Sequence, residues 1–444
     1  MRRTITRRKF IQQTVAASLA APLILPSLSL AAPFTSRLQH AAIGVGGQGA
    51  YDLGQINSSK KVDVIALCDI DENNLQAALK RYPKARLYRD WREMLEQEQD
   101  NIDSVNVSTP DHTHAPAAMT AIKKGKHTFC EKPLTHEIYE ARKLTLAARR
   151  EGVATQMGIQ IHSHDAYRTA VYWAKEGAIG KVKEWYSWCS SSATTESKQR
   201  PEGSDPIPPH VDWDLWLGTA SERPHKLEVY HPFAWRNWRD FGSGATGDFG
   251  CHIFDPVFTA LGITAPTTIR SEAETNSDEV HPAWVMTEYS FPGTALTAGK
   301  TIRATWMDGG KQPPVEASPH LPKDHKLPAS GSMLIGEDGT MIIPHYDTPL
   351  LYPQEKFKNY PIPAFDKMRF GDESLIARVY TRLIEIGVLT PEEGIAALEE
   401  GRLPTREESQ ESQEDYKKLR SKGLYEPIMG GPETQKGLVD KQHK

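Results

Sequence analysis

The chain has 444 residues, 39% of them hydrophobic and 25% charged, which fits a soluble globular protein of two or three domains. A net charge of −4 with mixed signs leaves no basic footprint, so no nucleic acid is expected as a partner. Beyond the N-terminal leader no stretch approaches the ~20 apolar residues of a membrane span, so no stable membrane association is expected.

The leader itself is distinct. "MRRTITRRKFIQQ" is basic, and "TVAASLAAPLILPSLSLAA" is apolar and rich in small residues, with Ser29 and Ala31 suited to cleavage. That layout predicts a signal peptide over 1–32. "TRRKFI" (Thr6 to Ile11) resembles the twin-arginine export signal, against the alternative of an ordinary secretory signal, and implies a periplasmic or otherwise exported protein. Pro22 and Pro26 interrupt the apolar run and argue against a retained anchor. Cys68, Cys130, Cys189 and Cys251 form no CxxC pair and read as buried free thiols.

From 37 to 160, short apolar runs alternate with amphipathic helical patterns. "HAAIGVG", "KVDVIALCD", "NIDSVNVST" and "KHTFCEKP" predict strands. "DENNLQAALKRYP", "DWREMLEQE", "HAPAAMTAIKKG" and "HEIYEARKLTLAARREG" predict helices, two of them ended by Gly125 and Gly152. The alternation predicts an α/β domain with a doubly wound parallel sheet. Within it, "GVGGQG" follows the first strand and opens a helix, as a dinucleotide-binding fingerprint does. Gly44, Gly46, Gly47 and Gly49 are the expected cofactor-binding glycines. Asp69, at the end of the second strand, is placed to bind a ribose hydroxyl and repel a 2′-phosphate, favouring NAD over NADP. "CEKP" closes a parallel strand whose carboxyl end faces the crevice, so Glu131 and Lys132 point to its rim. A lysine there can hydrogen-bond a substrate hydroxyl or stabilise an alkoxide.

From 161 to 364 the pattern changes to strands: "VKEWYSWCS", "TTIRSEAET", "AWVMTEYSF", "TIRATWMDGG" and "SMLIGEDGTMII". Helices look few there, chiefly "GDFGCHIFDPVFTALG", and the turns predict an open, mostly antiparallel sheet. In that helix Asp248 and His252 stand four apart on one face, a proton acceptor with a carboxylate to orient it. Just before it, Tyr230, His231, Trp235 and Arg236 could line a sugar subsite. The pairs His112/His114 and His162/His164 lack further ligands and read as cleft histidines, so no metal is expected. Residues 365–444 form an atypical, charged, helical tail.

These motifs, in this order, resemble the glucose–fructose oxidoreductase, inositol dehydrogenase and MocA (Gfo/Idh/MocA) superfamily: the fingerprint, "STPDHTHAPAAMTAIKKGKHTFCEKPLTHEIYEA", and "GDFGCHIFD", over roughly residues 38 to 345. The resemblance implies a Rossmann domain followed by an α/β domain with an open sheet. Its catalytic residues fall on Lys132, Asp248 and His252. It places Ser108, Thr109, Pro110 and His114 near the nicotinamide or ribose, with Glu131 and Lys132 beside them, and suggests a homo-oligomer. The tail after 365 departs from the family's closing helix and strand.

The expectation is an exported, NAD-dependent oxidoreductase acting on a sugar or glycoside. Free NAD is not expected outside the cytoplasm, so the cofactor would be loaded before export and stay bound. An NAD-dependent glycosidase working by transient oxidation and elimination is the alternative, and a non-catalytic sugar-binding protein the second.

Overall fold

The computed structural model describes residues 37–363, except 197, 275 and 276, together with residue 390. The leader and, save for residue 390, the charged tail lie outside the described residues.

The first domain is a six-stranded parallel sheet: β1 (Leu38–Ile43), β2 (Val62–Cys68), β3 (Arg86–Tyr88), β4 (Ser104–Val107), β5 (His127–Glu131) and β6 (Thr155–Gly158). Their order is β3-β2-β1-β4-β5-β6. Ala41, Ala42, Ile43, Val105 and Val107 are buried whichever face they point to, which explains the near-continuous apolar runs of β1 and β4. The crossovers carry α1 (Gly47–Ser58), α2 (Glu72–Arg81), α3 (Trp91–Gln97), α4 (Asp111–Lys123) and α5 (Ile138–Glu151). Glu137 and Glu140 box the start of α5, and Gly152, at φ +66°, ends it as a left-handed cap. The strand order reverses between β2-β1 and β4-β5, so the crevice lies above the carboxyl ends of β1 and β4.

The second domain is a seven-stranded mixed sheet of β7 (Val182–Trp188), β8 (Thr268–Ala273), β9 (Val285–Pro292), β10 (Thr301–Met307), β11 (Gly331–Gly336), β12 (Thr340–Pro344) and β13 (Leu350–Tyr352). In the order β13-β12-β11-β7-β10-β9-β8, only the β7–β10 pair is parallel. One face packs on α6 (Asp165–Lys175) and α9 (Asp255–Leu261) through Trp173, Trp185, Val257 and Leu334, and α8 (Gly244–Ile253) meets the sheet through Ile253 and Trp306. Phe254 and Phe258 set their rings edge-on to Trp185, at 5.3 and 5.8 Å. A short helix, α7 (Trp213–Leu217), lies in the long segment between β7 and α8.

Three features differ from the sequence expectation. The single helix expected from Gly247 to Gly262 is two, because Pro256 starts a new first turn after Phe254. Helix α6 was hidden in "DAYRTAVYWAK", where burial of Tyr167, Ala170, Trp173 and Ala174 reveals the apolar stripe. Strands β3, β6 and β13 are too short to show a period.

Leu334 is fully buried between sheet and helices. Leu334→Ala is expected to lower unfolding free energy by about 2–5 kcal/mol, measured as a fall in denaturant midpoint at unchanged slope.

Candidate active site

The fingerprint forms as its glycines require. Gly44 has φ +80°, and a Cβ there would overlap the Ser108 carbonyl. A Cβ on Gly49 would overlap the Gly44 carbonyl, so β1 and α1 approach as closely as backbone allows. No side chain caps α1, whose N-terminal N–H groups therefore suit a phosphate. Asp69 accepts N–H bonds from Val45 and Asp71, both at 2.9 Å, which holds the carboxylate beside the glycine turn. Asn74 donates to it at 3.3 Å and fills the place a Cβ on Gly46 would take. These residues fit a dinucleotide, with its pyrophosphate at α1 and its adenosine ribose at Asp69.

The loop after β4 braces this site. Ser108 donates its hydroxyl to Asp52 on α1 at 2.8 Å, and Asn106 donates to Ser108 at 3.2 Å. Pro110 precedes α4, and the Thr109 hydroxyl turns to the Pro110 carbonyl at 3.3 Å. His114 is buried, its two ring nitrogens 2.7 Å from the carbonyls of Thr109 and Pro133. It ties the "STP" loop to the "EKP" turn and so positions Lys132.

Lys132, at the end of β5, and Asp248, on α8, meet as an ion pair across the two domains. Burial pushes the Asp248 carboxyl up, but the charges of Lys132 and Arg236, with His252, outweigh it and hold the group at about 2. Burial likewise works against the Lys132 ammonium, yet the Asp248 charge raises its pKa. His252, one turn on, is lowered to about 3 by burial and by Lys132, and is neutral at pH 7. Asp248 thus serves the lysine, and no hydrogen bond joins it to the imidazole. The Nδ1 of His252 is buried without a partner. This corrects the expectation of a carboxylate-oriented histidine.

Glu131 lies against Gly158, where a Cβ would overlap its carboxyl. Burial and the nearby Asp52 charge push Glu131 up to about 8. Of the four residues expected to line a sugar subsite, only Arg236 shares the field of the site, acting on Asp248, Lys132 and Asp111. Tyr230 and Trp235 are buried in an aromatic cluster, and His231 faces Asp71 at 3.4 Å.

Sequence reasoning missed residues that the turn after β12 delivers. The His345 ring lies 5.7 Å from that of His252, and its Nδ1 is 2.9 Å from the Tyr167 hydroxyl. Burial and Lys132 lower its pKa to about 3 as well. Tyr346 beside it has φ +65°, a left-handed conformation that costs a tyrosine of order 1–3 kcal/mol and clusters at functional sites. Nothing in "PHYDTP" marks these two, since their partners are distant in sequence. The four cysteines are free, Cys251 the least buried; among the described residues no cluster of three or more His, Cys, Asp or Glu could hold a metal.

Two domain models of one family match the chain: "oxidoreductase family, NAD-binding Rossmann fold" over residues 38–159, and "oxidoreductase family, C-terminal alpha/beta domain" over 181–304. A levoglucosan dehydrogenase of Pseudarthrobacter phenanthrenivorans is 26% identical over 42% of this chain and 39% of its own length. A glycosyl hydrolase family 109 protein of Bacteroides fragilis is 31% identical over 35% of this chain and 38% of its own. Each of these matches spans under two fifths of the relative. An oxidoreductase structure from Thermotoga maritima shares the fold at TM-score 0.50 and 15% identity, covering 88% of this chain and 90% of that one.

The buried histidines set an acid limit on stability. His252 and His345 bind fewer protons folded than unfolded between about pH 6.5 and 3, so stability falls as pH drops through that window. His40 and His112, both lowered to about 4 by burial, add to the slope. A His252→Gln, His345→Gln variant is expected to lose less stability than the parent between pH 6.5 and 4, measured by denaturant unfolding at each pH.

Proposed function

We propose, from the premise that this chain belongs to the Gfo/Idh/MocA oxidoreductase family, that it oxidises a hydroxyl of a sugar or glycoside with NAD held in its first domain. The observation that carries the reading is the Lys132–Asp248 ion pair beside a neutral His252, at the carboxyl end of a sheet built for a dinucleotide. Bound NAD supplies a hydride acceptor. Gly44, Gly46, Gly47 and Gly49 with the α1 N-terminus would hold its phosphates, and Ser108, Thr109 and Pro110 would wall its nicotinamide half. Asp69 and Asn74 take the adenosine ribose, and the carboxylate of Asp69 disfavours a 2′-phosphate, so NAD is preferred to NADP.

The chain's own groups manage the proton. The Lys132 ammonium faces the reacting hydroxyl and lowers the cost of its alkoxide. His252, neutral and close to that charge, accepts the proton. Asp248 keeps Lys132 charged and aimed. Arg236 adds a second positive charge for a polar substrate group. A sugar as substrate is supported by the levoglucosan dehydrogenase likeness. The leader supports export with the cofactor already bound.

His345 favours a second reading, a glycosidase that works by transient oxidation. Such chemistry needs one acceptor for the hydroxyl proton and another for an acidified C–H next to the oxidised carbon. His345, a second neutral imidazole 5.7 Å from His252, suits the latter role. The glycosyl hydrolase family 109 likeness agrees.

The test mixes the purified chain, without added nicotinamide, with a panel of sugars and glycosides and follows reduced nicotinamide and released sugar together. Reduction that stops at one equivalent supports the oxidoreductase, and sustained sugar release without net reduction supports the glycosidase. His252→Ala is expected to lower kcat by about 10²–10⁴ with NAD affinity unchanged. A chain that binds sugar and never reduces nicotinamide would be a binding protein and would overturn both.

A further inference from the structure

The segment between β7 and α8 touches the first domain at the Arg239 carbonyl, 2.7 Å from His136, and at two further places that border the dinucleotide crevice. At the first of these two, Asp71 and Val211 form an antiparallel bridge just past Asp69. Glu72 donates its N–H to the His210 carbonyl at 2.9 Å, and Asp212 donates to Ile70 at 3.0 Å. Arg89 spans the joint, donating to the carbonyls of Ile70 at 3.0 Å and His210 at 3.2 Å. One Asp71 oxygen caps α2 through the Asn73 N–H at 2.8 Å, and the other faces His231 Nε2 at 3.4 Å.

At the second place the segment grips the first turn of α4, directly after the loop that follows β4. His112 donates its N–H to Phe241 at 3.3 Å, its Nε2 lies 3.1 Å from the Trp216 carbonyl, and the Thr219 hydroxyl donates to the His112 carbonyl at 3.2 Å. Asp111 accepts from the Ser243 N–H at 3.0 Å and hydroxyl at 2.9 Å. Between the two anchors the segment is a packed wedge. Trp213 stacks on Trp216 at 4.8 Å, Trp216 meets Phe241 at 4.6 Å, and Tyr230 meets Trp238 at 5.1 Å. Ile70 packs into the same cluster.

In a doubly wound sheet the dinucleotide lies in the crevice outside the carboxyl ends of the strands, so the loop after β2 borders its adenosine end and the loop after β4 its other half. A rigid segment fastened to both must detach from at least one before those loops can part. We propose that residues 205–243 of the second domain belong to the cofactor site as its retaining clasp, with His231 on Asp71 and Thr219 on His112 as the two catches. The clasp slows NAD release, which is what a chain carrying its cofactor through repeated turnovers requires. This rests on the reading that the first domain holds NAD.

The experiment compares the full chain with His231→Phe, which keeps the ring but loses the Asp71 contact, Thr219→Val, which loses the hydroxyl at equal size, and both together. Stripped protein is loaded with NADH, and release is followed by loss of tryptophan-to-nicotinamide energy transfer on adding excess NAD. Each single variant is expected to release NADH at least about threefold faster, and the double at least about ninefold, because the anchors lie on separate walls and their effects add in free energy. Asp71→Asn, which keeps the α2 cap, replaces His231→Phe if that variant does not fold. Equal release rates in parent and variants would overturn the clasp and leave the cofactor reading standing. A parent that binds neither NADH nor NADPH would overturn both.

Discussion

The site depends on one buried charge pair, Lys132 with Asp248. The two residues come from different domains, one from the end of β5 and one from the middle of α8, so the pair exists only when both sheets are complete and docked. Neither group is freely hydrated, with side chains 17% and 21% exposed. Removing either would leave the other as a poorly solvated charge, which costs more than the intact pair contributes. The pair also sets the state of its neighbours. The Lys132 charge is one reason His252 and His345 stay neutral, after burial itself.

Docking of the domains rests on polar contacts, beside Ile70 of the first domain packed into the aromatic cluster before α8. His136 reaches the Arg239 carbonyl at 2.7 Å, and Asp111 and His112 on α4 take partners from the segment before α8. Four of the other hydrophobic clusters each lie within one domain. Hydrogen bonds between backbone and short side chains are directional, so they fix how α8 lies over β5 more tightly than an apolar face of equal area would. Gly244, at φ +69° and close against His281, lets α8 begin where the loop delivers it.

Much of this was legible in the sequence because it is local. The fingerprint, Asp69, the "EKP" turn and the i, i+4 pair on α8 are each written within a few residues, and the parallel sheet follows from strands that alternate with helices. What escaped depends on tertiary neighbours. Spacing put Asp248 and His252 on one face but could not show that a lysine 116 residues upstream would take the carboxylate. His345 gains meaning from Tyr167, far away on α6, and from His252 on α8. His231 sat beside aromatics and read as a sugar contact, whereas Asp71 on the first domain is its partner.

Counting charges misleads in the crevice for the same reason. By formal charge, Asp52, Asp69 and Glu131 would set three negatives near the fingerprint and repel a pyrophosphate. Burial changes that balance. Glu131 is pushed up to about 8 and is mostly protonated at pH 7, whereas Asp52, pushed up to about 6, stays mostly ionised there and its charge is met by hydrogen bonds from Ser108 and Gln48. Burial raises the Asp69 carboxyl too, and N–H bonds from Asp71, Val45 and Asn74 oppose that shift. The uncapped N-terminus of α1 opens on the glycine turn, and it is positive. A crevice lined with acids is thereby made receptive to an anion through desolvation and hydrogen bonding, without a single basic residue in the "GVGGQG" loop.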